Sequence, residues 1–316
     1  MIDQFDPDRI AVVGAGTMGH GIAATFASGG FDVGLHDQDA DRLEASRDRV
    51  RESIELLRDH GRSERTADEA LEALTRSTDL EAVVADADLV IEAVTEELEV
   101  KRAVFNELSA LTGPETVLAS NTSGLSITEI AAAVDRPERV LGAHWFNPPH
   151  IVPLVEVVKG EETSDELAAA LTAFLDDLGK TAITVEKDVP GFIGNRIQMA
   201  MCYEAFSLLD RGIASAEDID KAVKAGFGFR LPSMGIFEKV DQSGLDVHYA
   251  IESYLMSDLD RSTEPNPVVT NLVDAGELGL KTGRGVYDWE DADPDTVVAK
   301  RDAKLLEQLE QYESAD

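Results

Sequence analysis

The chain has 316 residues, of which 43% are hydrophobic and 28% charged. That exceeds one ordinary domain, supplies enough apolar material for a sizeable core, and excludes an intrinsically disordered protein. Sixty-two acids against 28 bases give a net charge of −34, a field that repels phosphate backbones and argues against nucleic acid as a partner.

The acids are dispersed along the chain, and arginine outnumbers lysine 18 to 10. This balance suggests a protein hydrated at high salt, hence a halophilic source, with a merely acidic mesophilic protein as the bland alternative. No run of 18 apolar residues occurs, so no membrane-spanning helix is expected. The acidic stretch over residues 1–8 is unlike a secretory signal. The single cysteine, Cys202, and six scattered histidines offer neither a disulfide framework nor metal-ligand spacing. The expectation is a cytoplasmic protein without a metal.

In chain order, Arg9-Ile-Ala-Val-Val13 suits a buried parallel strand and runs into Gly14-Ala15-Gly16-Thr17-Met18-Gly19, then a helix carrying Ile22, Ala23, Phe26 and Ala27. Gly29-Gly30 ends that helix, and a second strand over 31–36 closes on Asp37. Residues 39–76 read as two charged helices inserted as a hairpin. Strands follow at 89–94, 117–120, 140–146 and 152–158, the last two flanking Asn147-Pro-Pro-His150, then a helix at 164–178 and a strand at 181–185. The alternation implies an α/β fold, a Rossmann-type doubly wound sheet with right-handed crossovers.

After Asp188-Val-Pro190-Gly191 strand signals vanish, and helices are expected around 192–211, 215–226, 246–258 and 267–277. A tail helix beyond Trp289 would bury Val298, Leu305, Leu309 and Tyr312. The domains expected are an NAD-binding unit over 1–187 and an all-helical substrate and dimerisation unit over 188–316. Its surplus of apolar residues makes a homodimer plausible.

The glycine motif is weak by itself but lies in the context it requires, with a strand before, a helix after and an acid ending the next strand. Gly14 permits the tight turn, Gly16 lets backbone approach a pyrophosphate, and Gly19 allows close helix–strand packing. The helix N-terminus attracts the phosphates without a basic side chain. Asp37, 18 residues past Gly19, would accept from the adenosine ribose hydroxyls and repel a 2′-phosphate, so NAD is favoured over NADP.

His144 ends a short apolar strand, and Glu156 sits inside the apolar run 152–158. If the two strands pair across the proline turn, these residues face one another. A carboxylate in an apolar strand is costly unless paired, and the pairing would fix a histidine's tautomer for general-base work. On spacing alone, a satisfied core histidine beside an edge-strand acid remains open. Ser120-Asn121-Thr122-Ser123 reads equally well as a helix N-cap ahead of Ile127. Asn195 reads as an ordinary helix residue, and Glu96 with Lys101 as a surface charge pair.

Together these blocks resemble the L-3-hydroxyacyl-CoA dehydrogenase family, the 3-hydroxybutyryl-CoA dehydrogenase group in particular. The matching stretches are Val13-Gly-Ala-Gly-Thr-Met-Gly19, Glu92-Ala-Val-Thr-Glu96, Ala119-Ser-Asn-Thr-Ser123, His144-Trp-Phe-Asn-Pro148, Leu154-Val-Glu-Val-Val158, Asp188-Val-Pro-Gly-Phe-Ile-Gly-Asn-Arg196, Ala216-Glu-Asp-Ile-Asp220 and Lys281-Thr-Gly-Arg-Gly-Val-Tyr287. The resemblance implies that His144 takes the proton of a 3-hydroxyl while hydride passes to the nicotinamide. It further implies that Glu156 orients the imidazole and that Ser123 and Asn195 hold the reacting oxygen. Gly14, Gly16, Met18, Gly19 and Asp37 would contact the cofactor. Glu96, Lys101, Ser123, Asn147 and Lys281 would line its nicotinamide end.

Two departures concern the substrate. Relatives grip CoA with a serine and a lysine on the inserted hairpin; Ser53 holds the first position, but His60 stands where the lysine is expected, flanked by Arg58 and Arg62. Arg230 is an extra base near the expected substrate side, suited to a free carboxylate or a surface ion pair. The leading expectation is reversible NAD-dependent oxidation of a short-chain L-3-hydroxyacyl-CoA. The alternative is a dehydrogenase of a CoA-free 3-hydroxy acid, and a third class merely binds NAD(H).

Overall fold

A computed structural model describes residues 5–314; residues 1–4 of the acidic N-terminal stretch lie outside it. By its internal contacts the chain divides into Met1–Arg196 and Ile197–Asp316.

The first unit is built on an eight-stranded sheet with the spatial order β3-β2-β1-β4-β5-β6-β7-β8. Its strands are β1 (Arg9–Val13), β2 (Asp32–His36), β3 (Leu74–Ser77), β4 (Leu89–Glu92), β5 (Val117–Ser120), β6 (Val140–Trp145), β7 (Leu154–Lys159) and β8 (Thr181–Val185). All neighbours run parallel except β6 and β7. The central strands are buried on both faces, as near-continuous Val, Ile and Leu runs require.

Register brings the strand ends together. Val13 of β1 lies beside His36 of β2 and Glu92 of β4, and Glu92 lies beside Ser120 of β5. The chain winds one way from β1 through β2 to β3 and the other way from β4, so the carboxyl ends open onto a topological switch between β1 and β4. Open α/β sheets bind ligands at that place.

Helices cover both faces: α1 (Gly19–Gly29), α2 (Ala40–Asp59), α3 (Ala67–Glu72), α4 (Leu80–Val84), α5 (Leu98–Leu111), α6 (Ile127–Ala131) and α7 (Asp165–Asp177). Helix α1 buries Phe26 edge-on against Trp145 and Phe31 and stacked on Phe174, an aromatic cluster within this side of the core.

One expectation is corrected here. Residues 39–76 are not simply two inserted helices, because Leu74–Ser77 forms β3, parallel to β2. Helices α2 and α3 are therefore the connection between β2 and an edge strand. Ser123 and its neighbours do not cap α6 either; Ser126 does, accepting from Glu129 N–H.

Helix α8 (Gly194–Asp210) carries the chain into the second unit, which among the described residues is helical with two isolated bridges. It contains α9 (Ala216–Ala225), α10 (Phe227–Arg230), α11 (Ile236–Ser243), α12 (Leu245–Leu255), α13 (Pro267–Asp274) and α14 (Pro294–Glu313). Tyr287 donates its hydroxyl to Asp220 Oδ2 at 3.1 Å, tying the chain after α13 to α9. The buried side of α14 is Asp302, Leu306 and Leu309; of the residues expected there Leu309 is buried, Leu305 and Tyr312 are half-buried and Val298 is exposed. No helix among the described residues is long and apolar enough to cross a membrane.

Candidate active site

The turn after β1 makes the first wall of a cleft of about 470 Å³ at the switch point, lined by Gly14, Gly16, Thr17, Met18, Asp37, Arg42, Glu96, Asn121 and Ser123 among others. Gly14 has φ +106°, and a Cβ there would strike Ala93 O at 2.6 Å. A Cβ on Gly19 would lie 1.6 Å from Gly14 O, so glycine alone lets α1 start so close to the turn. At Gly16 a Cβ would meet no protein atom within 4 Å; the missing side chain faces open space.

No side chain caps the N-terminus of α1. His20 donates its Nδ1–H to Gly16 O at 2.8 Å. Burial, against the hydrogen bond to Gly16 and with a further push from Arg49, holds its pKa below the ordinary imidazole value. A neutral His20 therefore donates from Nδ1 and fixes the Gly16 carbonyl. An open glycine cradle at an uncapped helix N-terminus fits a pyrophosphate.

Asp37, just past β2, is buried. Its Oδ2 accepts Ala15 N–H at 2.9 Å, its Oδ1 accepts Asp39 N–H at 3.0 Å, and Arg42 approaches Oδ2 at 3.5 Å. The carboxylate thus ties the glycine turn to the end of β2, where a ribose would be recognised.

The second wall comes from β4 and β5. Glu92, the last residue of β4, is 0% exposed, and Lys101 on α5 is 1% exposed. Lys101 Nζ reaches Glu92 Oε1 at 2.7 Å, Glu96 Oε2 at 3.3 Å and Val94 O at 3.4 Å. The reading of Glu96 and Lys101 as a surface pair is therefore corrected: the lysine is inside, and only Glu96 is open. Glu96 Oε1 accepts both Thr122 Oγ1 and Ser123 N–H at 2.7 Å. Glu92 did not stand out in the sequence, although a carboxylate within the apolar run 89–94 is the signal that singled out Glu156.

His144 and Glu156 face each other across the antiparallel β6–β7 pair, in direct register. His144 Nδ1 lies 2.7 Å from Glu156 Oε2, and both side chains are buried. Glu156 Oε1 accepts the N–H groups of Ile193 and Gly194 at 3.0 and 2.8 Å. Burial pushes the Glu156 carboxyl up. The hydrogen bonds from His144, Gly194 and Ile193, with the charge of His144, outweigh it and hold the group below the ordinary carboxylate range. An ionised Glu156 accepts only, so Nδ1 carries the proton and Nε2 is left as the basic nitrogen.

Phe192 sets the N–H groups that meet Glu156. It is buried with φ +51°, a conformation strained for a bulky residue, and lies 5.7 Å from the His144 ring. Asn195 follows at the start of α8 and donates its amide to Ser123 O at 2.8 Å. Gly124 allows this approach, since a Cβ there would lie 2.8 Å from Gly191 N. Asn121 Oδ1 receives Trp145 N–H at 2.9 Å, holding the loop after β5 against the end of β6.

The structure thus joins His144 to Glu156, Glu156 to the backbone of Ile193 and Gly194 just before Asn195, Asn195 to Ser123, and Ser123 to Glu96, with Lys101 behind Glu96. Asn147 is exposed in the turn after β6. Lys281 and Arg230 are exposed residues of the second unit. On α2, Ser53 is buried and donates to Arg49 O at 2.9 Å and Arg58 is exposed; just past its end, His60 Nδ1 lies 3.0 Å from Leu56 O and Arg62 is partly buried.

Comparison with known proteins agrees with this geometry. Residues 9–189 match the NAD binding domain of 3-hydroxyacyl-CoA dehydrogenase, and residues 191–289 match its C-terminal domain. The chain belongs to the 3-hydroxyacyl-CoA dehydrogenase family. It is an NAD-dependent oxidoreductase.

Among relatives, a 3-hydroxybutyryl-CoA dehydrogenase of Bradyrhizobium diazoefficiens is 42% identical over 289 residues, 90% of this chain and 97% of that one. A 5-formyl-3-hydroxy-2-methylpyridine 4-carboxylate 5-dehydrogenase of Mesorhizobium japonicum is 35% identical over 298 residues, 94% and 96% of the two chains. A crystal structure of an enzyme of that second activity, described as an NAD+-dependent dismutase, superposes with a TM-score of 0.92 at 34% identity, covering 98% and 99%. An (S)-3-hydroxybutyryl-CoA dehydrogenase from Ralstonia eutropha gives 0.74 at 36% identity, covering 90% and 99%.

Proposed function

We propose that the chain catalyses reversible oxidation of a short-chain L-3-hydroxyacyl-CoA to the 3-oxoacyl-CoA, with His144 as the general base. The observation that carries this reading is the 2.7 Å contact between His144 Nδ1 and Glu156 Oε2, which leaves Nε2 free to accept a proton. NAD, when bound, supplies the hydride acceptor. Nε2 takes the hydroxyl proton, and the ionised Glu156, itself held by two backbone N–H groups, stabilises the imidazolium that forms. Ser123 and Asn195 hold the substrate oxygen, and Glu96 with Asn147 and Lys281 lines the nicotinamide end. In the reverse direction the imidazolium returns the proton to the 3-oxo oxygen.

A second reading, a CoA-free 3-hydroxy acid as substrate, is favoured by α2. The serine expected on CoA is buried with its hydroxyl spent on Arg49 O, and His60 replaces the expected lysine. Arg58 and Arg62 remain as candidate CoA contacts, and Arg230 as a carboxylate contact. The experiment is NADH oxidation with acetoacetyl-CoA against free acetoacetate and other 3-oxo acids, at molar salt. Preference for the thioester supports the first reading, and preference for free acids the second.

The proposal extends to a cytoplasmic homodimer from a halophilic source, with the second unit carrying substrate and dimer contacts. Large apolar side chains stand open on that unit, Phe237 at 86% and Phe229 at 78% exposed, with Tyr249 and Leu245 also open. Exposed apolar side chains of this size support an interaction surface on that unit. Light scattering on the purified protein at high salt tests the dimer.

A further inference from the structure

Three charged groups meet at the cleft wall, Glu92 and Lys101 behind it and Glu96 on it, and their geometry divides them unequally. Glu92 and Lys101 are wholly buried and 2.7 Å apart. The remaining ammonium hydrogens have Val94 O and Glu96 Oε2 as acceptors, and the Glu92 carboxylate also receives Ser120 Oγ at 2.6 Å and Val94 N–H at 2.7 Å. Glu96 lies farther from the lysine, at 3.3 Å, and its side chain is 44% exposed. Two carboxylates and one ammonium leave one surplus negative charge. The shorter, drier contact pairs Lys101 with Glu92, so the surplus resides on Glu96 at the rim of the cleft.

That placement bears on the two forms of the cofactor. The oxidised nicotinamide ring carries a positive charge that the reduced ring lacks, so a carboxylate beside it favours NAD+ over NADH. We infer that Glu92 is a positioning residue that sets the redox bias of the site: by neutralising Lys101 it leaves Glu96 uncompensated, which strengthens NAD+ binding relative to NADH. The inference rests on the proposed placement of the nicotinamide beside Glu96 and Ser123. Without the Glu92 charge, Lys101 would pair with Glu96 alone, and the rim would become electrically neutral. By linkage, the change in the ratio of the two affinities equals the change in the oxidation equilibrium on the enzyme.

The test measures dissociation constants for NAD+ and for NADH separately on the full-length protein and its E92Q, E96Q and E92Q/K101M variants, with circular dichroism melting as the check on folding. Glutamine keeps the shape of Glu92 and an acceptor for Lys101 while removing the charge. E92Q should weaken NAD+ about fivefold relative to NADH, as loss of one nearby charge implies. E96Q should shift the ratio in the same direction.

E92Q/K101M should return the ratio to that of the wild type, because removing both buried charges restores the surplus on Glu96. A purely structural role would weaken both cofactor forms together and would not be repaired by the second substitution. If E92Q alone does not fold, the double variant carries the test, since a buried ion pair replaced by neutral groups is often tolerated. An unchanged wild-type ratio in it supports the inference, and a displaced ratio overturns it. A shift with E96Q but none with E92Q overturns the role of Glu92. No shift with E96Q overturns the placement of the nicotinamide itself, and the inference with it.

Discussion

Glu156 holds His144 from one oxygen and takes two backbone N–H groups on the other: Oε2 lies 2.7 Å from His144 Nδ1, and Oε1 lies 2.8 Å from Gly194 N and 3.0 Å from Ile193 N. The carboxylate therefore joins β6, β7 and the start of α8, the three elements that carry the dyad and Asn195. Its substitution has consequences that can be read from this geometry.

In E156Q, the amide oxygen stays on the two N–H groups and the amide NH2 faces Nδ1. The imidazole must then present a lone pair at Nδ1 and carry its proton on Nε2, the nitrogen that has to accept one. Turnover should fall by about 10²–10⁴-fold, with NADH affinity within a factor of about two, well short of the tenfold that 1.4 kcal/mol would produce. Steady-state kinetics beside NADH fluorescence titration checks both.

The same carboxyl predicts a stability difference that depends on pH. Its folded pKa is depressed, so the stabilisation is fully present above the ordinary carboxylate range and is lost as pH falls through the folded value. Urea unfolding of wild type and E156Q should show a constant gap from pH 7 to about pH 5, narrowing below about 4.3.

Lys180 makes stability rise with pH as well, but over a higher window and because burial disfavours its charge. Burial, aided by Arg62, lowers its pKa to about 7, while its ammonium donates to Pro149 O and Val152 O at 2.7 and 3.3 Å and lies 5.1 Å from the centre of the Trp145 ring. The unfolded lysine remains protonated up to about pH 10.4, so this site adds stability as pH rises from 7 towards 10 and withholds it below 7. The melting temperature of K180M relative to wild type should therefore be higher at pH 6 than at pH 9. An equal difference at both values would contradict the assignment.

The glycine turn separates binding from folding. G16A places a methyl group in open space, so its melting temperature should match wild type while NAD affinity drops at least about tenfold, the equivalent of 1.4 kcal/mol. G19A places one 1.6 Å from Gly14 O and should destabilise the protein by about 1–3 kcal/mol. Equal melting temperatures for the two variants would refute this division.

Much of this was legible in the sequence, and the exceptions have physical reasons. The contact of His144 with Glu156 was partly legible, because a carboxylate inside an apolar strand needs a partner, but spacing alone left a core histidine beside an edge-strand acid open, and the family motifs decided between them. Glu92 carried the same signal, but the Glu96–Lys101 spacing suggested a surface pair, and only the fold shows Lys101 turned inward. Strand β3 was illegible because Leu74-Thr-Arg-Ser77 sits at the sheet edge with one neighbour and one buried side chain, so it shows no run of apolar residues. The burial of Ser53 was readable in hindsight: Ser46, Val50, Ser53, Ile54 and Leu57 recur at helical spacing on the inner face of α2. On the tail helix Leu309 is buried as the apolar pattern suggests and Leu305 and Tyr312 are half-buried, but the buried side is turned toward Asp302 and Leu306 and leaves Val298 exposed.

The most direct test of the central claim is NADH-dependent reduction of acetoacetyl-CoA by wild type and H144Q, with NADH dissociation constants measured on the same preparations. The account predicts that H144Q loses turnover by at least about 10³-fold while binding NADH as the wild type does. A folded H144Q that retains turnover within about tenfold of wild type, a margin of 1.36 kcal/mol in the barrier, would contradict it.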